Sequence, residues 1–83
     1  MDDKIYNTIK EFVLEKLEER DFKPGYGWAK KEYVLIYSDL KSNIKNYYFD
    51  ALYKMVDDGY FTIKENQKDI LFFTEKCYKE VKK

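Results

Sequence analysis

Histidine is absent from this 83-residue chain, and cysteine, proline and arginine occur once each. The single Cys77 cannot form a disulfide within the chain, and the lack of histidine removes the commonest zinc ligand and the usual general base. A cysteine–histidine catalytic pair is therefore excluded within one chain. The sequence also contains no phosphate-binding glycine loop and no nucleophile elbow. We therefore expect a protein that is not an enzyme and has no metal or cofactor, with Cys77 as a buried structural residue.

Long apolar segments are also absent. The longest uninterrupted apolar run is Tyr33 to Tyr37, whereas a helix that spans a bilayer needs about 20 apolar residues. The N-terminus carries Asp2 and Asp3 and leads into an amphipathic segment rather than the apolar core of a signal peptide. These features predict no membrane partner and a cytoplasmic location.

What the chain does contain is a large apolar fraction: 45% of its residues are hydrophobic and 19% are aromatic. The length suits a single domain over residues 1–83, and so small a domain buries only about 60% of the surface of its unfolded chain. Most of the aromatic residues are therefore expected in a dense core. Basic and acidic residues balance at 16 each, so the net charge does not favour a nucleic-acid partner.

Residues 3–21 have the pattern of an amphipathic helix. Asp2 or Asp3 can cap its first turn, and its apolar residues recur at helical spacing. These apolar residues are Ile5, Ile9, Phe12, Val13 and Leu17. The helix should end at residues 22–27, which contain the only proline and two of the three glycines.

Residues 28–41 fit two secondary structures. Tyr33 to Tyr37 is rich in β-branched and aromatic residues, which suits a short buried strand. The apolar residues of the stretch also repeat at helical spacing, as in Ala29, Tyr33, Ile36, Tyr37 and Leu40. We favour a helix that reaches Ser38 to Leu40.

Residues 44–58 predict a third helix, with Ser42 or Asn43 as its N-cap and Gly59 in a left-handed conformation after its last turn. Two β-prone runs follow, and together they predict a hairpin over residues 60–74 with a polar loop over residues 64–69. By alternation, one face of the hairpin should be buried, and this face consists of Phe61, Ile63, Leu71 and Phe73. The last residues, 74–83, should form a short lysine-rich helical turn or tail.

The segment Phe49 to Phe61, FDALYKMVDDGYF, has apolar residues four and seven positions before Gly59 and then an aromatic strand. The segment Leu71 to Val81 begins with an apolar run and continues with Thr74, an acidic residue and a lysine. Both segments resemble the recognition helix and wing of small bacterial and phage winged helix-turn-helix domains. The resemblance covers residues 36–83. It implies an α+β fold of three helices and a C-terminal two-stranded wing.

This resemblance implies DNA binding, in transcriptional control or in the maintenance of a mobile element. In that family the third helix enters the major groove and the wing contacts the backbone. The residues that the resemblance assigns to DNA are Lys41, Ser42, Lys45, Asn46, Tyr47 and Lys54 around the third helix, and Lys64, Asn66 and Lys68 in the wing. Residues 38–58, however, contain three lysines and four aspartates, whereas DNA-binding surfaces are normally basic.

The alternative hypothesis is a winged-helix module that binds a larger protein. Aromatic residues anchor many protein interfaces, and the candidate anchors are Tyr26, Trp28, Tyr47 and Phe49. For Trp28 alone, a position in the core is the more ordinary interpretation. Self-association is a further expectation, and the helix over residues 3–21 is the candidate surface for a homodimer.

Overall fold

The computed structural model describes residues 1–82, which form four α-helices and one three-stranded antiparallel sheet. In chain order the elements are α1 (Asp3–Glu18), β1 (Gly27–Ala29), α2 (Lys30–Leu35), two short 3-10 helices (Ile36–Asp39 and Lys45–Tyr47), α3 (Tyr48–Asp57), β2 (Phe61–Lys64), β3 (Gln67–Phe73) and α4 (Glu75–Val81). The α+β class is thus confirmed. The structure has four α-helices and three strands, one more of each than the three helices and two strands expected. None of the helices in residues 1–82 has the length and apolar character needed to cross a membrane.

The first helix begins where the sequence predicts and ends earlier. The Asp2 carboxylate accepts a hydrogen bond of 2.8 Å from the Ile5 amide and so caps the helix. The helix ends at Glu18 rather than at residue 21. If it continued, Phe22 would lie about 140° around the axis from the buried Leu17 and would point away from the core. By leaving the helix, the chain places Phe22 in the core.

Residues 30–39 are helical throughout, as an α-helical segment followed by a 3-10 turn. The prediction of a helix rather than a strand at Tyr33 to Tyr37 is therefore confirmed. The Glu32 carboxylate caps α2 by accepting a hydrogen bond of 3.1 Å from the Ala29 amide, and it also pairs with Arg20 at 2.7 Å. These two interactions lower the pKa of Glu32.

The third helix was expected from residue 44, but α3 begins at Tyr48 after a 3-10 turn. Neither Ser42 nor Asn43 caps it, since the N-cap residue is Tyr47, which makes no capping hydrogen bond through its side chain. The Lys41 carbonyl accepts hydrogen bonds from the amides of both Ile44 and Lys45, which holds this segment in a turn.

The C-terminal end of α3 is as expected. Gly59 has a φ of 88°, and the amides of Gly59 and Tyr60 bond back to the carbonyls of Val56 and Met55. This hydrogen-bond pattern is the Schellman motif, which favours glycine at that position.

The hairpin is confirmed, but its loop is shorter than predicted. Lys64 pairs with Gln67, so the loop contains only Glu65 and Asn66, and residues 67–69 extend β3. β3 is the central strand, because β1 pairs with its other edge and places Trp28 opposite Leu71. β1 was not predicted, since it is only three residues long.

The inner face of the sheet packs on α2 and α3. Phe61, Leu71 and Phe73 are buried as predicted, whereas Ile63 is half-buried. The indole of Trp28 lies 5.9 Å from the rings of both Phe61 and Phe73, measured between ring centroids. Trp28 is therefore a core residue.

Residues Glu75–Val81 form a helix, α4, rather than a tail. The Thr74 hydroxyl caps α4 by accepting a hydrogen bond of 3.2 Å from the Cys77 amide. Cys77 is fully buried, as expected for a structural cysteine. Burial raises the pKa of its thiol to about 12.

Candidate interaction surface

The exposed side of α3 is aromatic and acidic. Four residues of this helix are exposed, namely Phe49, Asp50, Tyr53 and Asp57. Two exposed carboxylates therefore lie along the helix, and the side chain of its one lysine, Lys54, is 40% exposed and pairs with Asp3. Such a surface has apolar area for a partner, and its carboxylates would repel phosphate groups.

Phe49 belongs to a group of rings that joins α3 to the 3-10 turn over Ile36–Asp39. Its ring stacks on that of Tyr37 with centroids 6.0 Å apart and planes at 24°, and it meets the buried Tyr48 edge-on at 5.3 Å. Phe49 and Tyr53 are 38% and 59% exposed, and their i,i+4 spacing places them side by side on the helix. We refer to Tyr37, Phe49 and Tyr53 as the aromatic face.

Buried hydroxyl groups hold the aromatic face in place. The Tyr48 hydroxyl donates a hydrogen bond of 2.5 Å to the Tyr33 carbonyl, and the Tyr33 hydroxyl donates one of 3.2 Å to the Asp69 carbonyl. Burial raises the pKa of both phenols, and the nearby Tyr53 and Asp69 raise that of Tyr33 further. These bonds tie α3 to α2, and α2 to β3, so the aromatic face rests on a rigid support.

Lys54, which was expected to face DNA, instead faces α1. Its ammonium lies 3.4 Å from an Asp3 carboxylate oxygen and 4.4 Å from the centre of the Tyr6 ring. Since α1 packs against this side of α3, the Lys54 ammonium forms contacts with α1 inside the domain.

The other residues assigned to DNA around the third helix precede α3. Lys41, Ser42 and Asn46 are exposed, whereas Lys45 and Tyr47 are half-buried. The Lys45 ammonium lies 5.3 Å from the centre of the Tyr37 ring, so this cation is at the edge of the aromatic face. The structure thus brings Lys45 together with Phe49 through Tyr37.

The three residues assigned to the wing are all exposed around the two-residue loop of the hairpin. Asn66 is in the loop, and Lys64 and Lys68 flank it. The Lys64 ammonium lies 4.2 Å from the centre of the Phe72 ring. Within residues 1–82, neither lysine forms an ion pair.

The four aromatic anchors proposed from the sequence do not form one surface. Trp28 is buried, and Tyr47 packs partly against the core. Tyr26 is 52% exposed, but in the part of the chain that the structure describes it makes no ring contact with Phe49 or with the other rings. The predicted cluster of four aromatic anchors is therefore wrong for two of them. Trp28 is buried in the core, and Tyr26 is an exposed residue apart from the others.

Sequence reasoning missed Tyr37 and Tyr53 as members of the surface. Tyr53 is four residues after Phe49 and falls on the side of α3 opposite the buried Tyr48, Leu52 and Met55, so the helical period alone contains this signal. The position of Tyr37 depends on how the 3-10 turn crosses α3, and no local pattern encodes that crossing.

Over residues 1–82 there is no group of three or more His, Cys, Asp or Glu side chains placed to hold a metal ion. No protein-family model matches this chain, and neither a curated protein nor a solved structure matches it.

Proposed function

We propose that this protein is a non-enzymatic module that binds another protein through the aromatic face. The observation that carries the proposal is the pair Phe49 and Tyr53, exposed on α3 beside Asp50 and Asp57. Large aromatic side chains supply most of the binding energy in many protein interfaces. The two carboxylates favour a partner that presents an apolar surface bordered by lysine or arginine.

The proposal is tested with three variants of the intact chain. Phe49→Ala with Tyr53→Ala removes both rings, and Tyr26→Ala removes an exposed ring outside the aromatic face as a matched control. Proteins that the wild type captures from an extract of the source cells are then identified and purified. Their dissociation constants are measured by calorimetry, after circular dichroism has shown that all variants are folded.

We expect the double substitution to weaken the purified complex by about 2 kcal/mol or more, which is close to a 30-fold increase in Kd. An unchanged Kd in the double variant would exclude the aromatic face as the binding surface. Equal weakening by Tyr26→Ala would place the binding surface nearer the turn before β1.

DNA binding is the second candidate, and the exposed, unpaired lysines at the hairpin loop favour it. In the winged-helix interpretation, Lys64 and Lys68 would contact the backbone while Lys41 and Lys45 would lie beside the groove. Asp50 and Asp57 oppose this interpretation, since α3 would bring them close to phosphates.

A titration with random double- and single-stranded oligonucleotides at about 50 and 200 mM salt separates the two candidates. Binding that falls steeply with salt, and that Lys45→Glu with Lys68→Glu abolishes, would establish DNA or RNA as the ligand. We expect no such binding. Self-association through α1 uses a surface other than the aromatic face, so a homodimer is compatible with either candidate function.

A further inference from the structure

Two adjoining hollows lie between α1 and the segment over residues 39–44. Their volumes are about 260 and 190 Å³, and both are lined by Thr8, Lys41 and Ile44. Ile5 borders the first hollow and Phe12 the second. Each of these two side chains is only partly buried against the core, so the hollows form one open apolar groove along α1.

Charge is distributed unevenly along the exposed ridge of α1 that borders this groove. Lys4 lines the first hollow together with Lys41, whereas Glu11 and Glu15, later on the ridge, line a separate hollow with Glu80. At 100° per residue, Lys4, Glu11 and Glu15 fall within about 40° of one another around the axis. All four of these charged side chains are exposed, and none of them forms an ion pair within residues 1–82. The ridge of α1 beside the groove is thus basic at its start and acidic farther along the helix.

This distribution of charge favours one orientation of a helix that packs against α1. A second copy of α1 placed antiparallel across a two-fold axis would bring Lys4 of each copy beside Glu11 and Glu15 of the other, twice over. A parallel copy would instead set Lys4 against Lys4 and Glu15 against Glu15. We propose that the occupant of the groove is a second copy of this chain, with its α1 antiparallel to the first.

In this arrangement the groove contributes apolar area and the charges set the direction. Phe12 and Ile5 of each copy cover the hollows, and the two symmetric charge clusters exclude the parallel alternative. The inference goes beyond the binding proposed for the aromatic face and does not depend on it.

The experiment is a charge swap followed by sedimentation velocity over about 5 to 500 µM protein, the range in which a small interface associates. The variants are Lys4→Glu, Glu15→Lys and the two combined. Lys68→Glu, a charge reversal on the exposed hairpin, is the matched control.

We expect the wild type and Lys68→Glu to dimerise with the same Kd. Each single α1 variant should raise the Kd about tenfold, since it places like charges opposite each other. The combined variant should restore the Kd to within about twofold of the wild type, because it exchanges the two signs without changing their attraction.

A wild type that stays monomeric at the highest concentration would overturn the proposal. So would dimerisation that neither single variant weakens, or a combined variant no better than the singles, because the dimer would then use another surface. Circular dichroism on each variant confirms that the chain is folded before its association is measured.

Discussion

The Tyr6 hydroxyl donates a hydrogen bond of 2.5 Å to the Asp58 carboxylate, and this bond joins the first turns of α1 to the C-cap of α3. The Tyr6 ring is buried, so the hydroxyl has little access to water as an alternative partner. Hydrogen bonds to a charged group contribute more to stability than neutral ones. The contact therefore fixes the angle between the two helices.

Tyr6→Phe should lower the free energy of unfolding by about 1.5 kcal/mol, since the ring stays in place and only the hydrogen bond is lost. Urea denaturation followed by circular dichroism measures the change. Tyr78→Phe is the matched control, because in the structure of residues 1–82 the Tyr78 hydroxyl has no hydrogen-bond partner. A loss in the control equal to that in Tyr6→Phe would contradict the role of the bond.

The same bond predicts a dependence on alkaline pH. Burial and the bond to Asp58 raise the pKa of Tyr6 above its usual value of 10.0 in the folded state. Its contribution to stability is thus fully present below pH 10 and is lost as pH rises toward the raised pKa. The difference in stability between wild type and Tyr6→Phe should therefore shrink above about pH 10. A difference that grows with pH would refute the assignment.

Glu32 predicts the opposite dependence, at acidic pH. The bonds from Arg20 and the Ala29 amide lower its pKa below 4.5 in the folded state, so its contribution is present above pH 4.5 and is lost as pH falls through the lowered pKa. Glu32→Gln should destabilise the protein at pH 7. At strongly acidic pH the stabilities of the two proteins should converge, because Glu32 becomes protonated as pH falls through its lowered pKa.

Thermal unfolding at the two pH values tests this expectation. Glu75→Gln is a suitable control, because Glu75 pairs with Lys79 in a bridge whose side chains are both 73% exposed. Such exposed pairs contribute little. A penalty for Glu32→Gln that persists unchanged at acidic pH would show that charge is not its cause.

Substitution by alanine should destabilise the protein at both Gly27 and Gly25, but for different reasons. A Cβ at Gly27 would lie 2.8 Å from a methyl carbon of Ile70 and 3.3 Å from the Phe72 ring, whereas one at Gly25 would meet nothing within 4 Å. Gly27→Ala should lower the free energy of unfolding by about 1–3 kcal/mol through overpacking. Gly25→Ala should cost about 1 kcal/mol, because its φ of 92° is unfavourable for alanine.

Combining Gly27→Ala with Ile70→Ala separates the two mechanisms, because alanine lacks the Cγ2 methyl that the new Cβ would meet. If the loss of free energy of unfolding caused by Gly27→Ala in urea denaturation is smaller in the Ile70→Ala background, the steric contact is its cause. The loss caused by Gly25→Ala should be the same in both backgrounds, and a smaller loss there as well would contradict a separate backbone mechanism at Gly25.

The Cys77 thiol should be unreactive in the folded protein. The thiolate is the reactive form, and burial raises the pKa of this thiol to about 12. Reaction with an aromatic disulfide reagent at pH 8 should be slow in buffer and immediate in concentrated urea. A fast reaction in buffer would mean that α4 opens readily.

The sequence was sufficient to locate those helices and turns that are specified by residues close together in the chain. The period of Ile9, Val13 and Leu17 located α1, and Gly59 marked the end of α3. The end of α1 was missed because it depends on burying Phe22, which is a tertiary effect. β1 was missed because three residues carry too little pattern, and only its pairing with β3 makes it a strand.

The candidate surface could be predicted less well than the fold. Phe49 followed from three consecutive aromatic residues, of which a helix can bury only some. The orientation of Lys54 toward Asp3 and Tyr6 depends on how α1 crosses α3, and the burial of Trp28 depends on the sheet. Both are set by contacts between residues far apart in the sequence, so neither side chain could be placed from local spacing.

The central position of β3 has a kinetic consequence. Pairing β2 with β3 closes a loop of two residues, whereas pairing β1 with β3 brings Trp28 to Leu71 and must close a loop that holds α2 and α3. The entropy lost on closure grows with loop length, and distant contacts slow folding. The hairpin should therefore form early, and the docking of β1 should limit the folding rate. Since Trp28 is in β1, its fluorescence would report this late step.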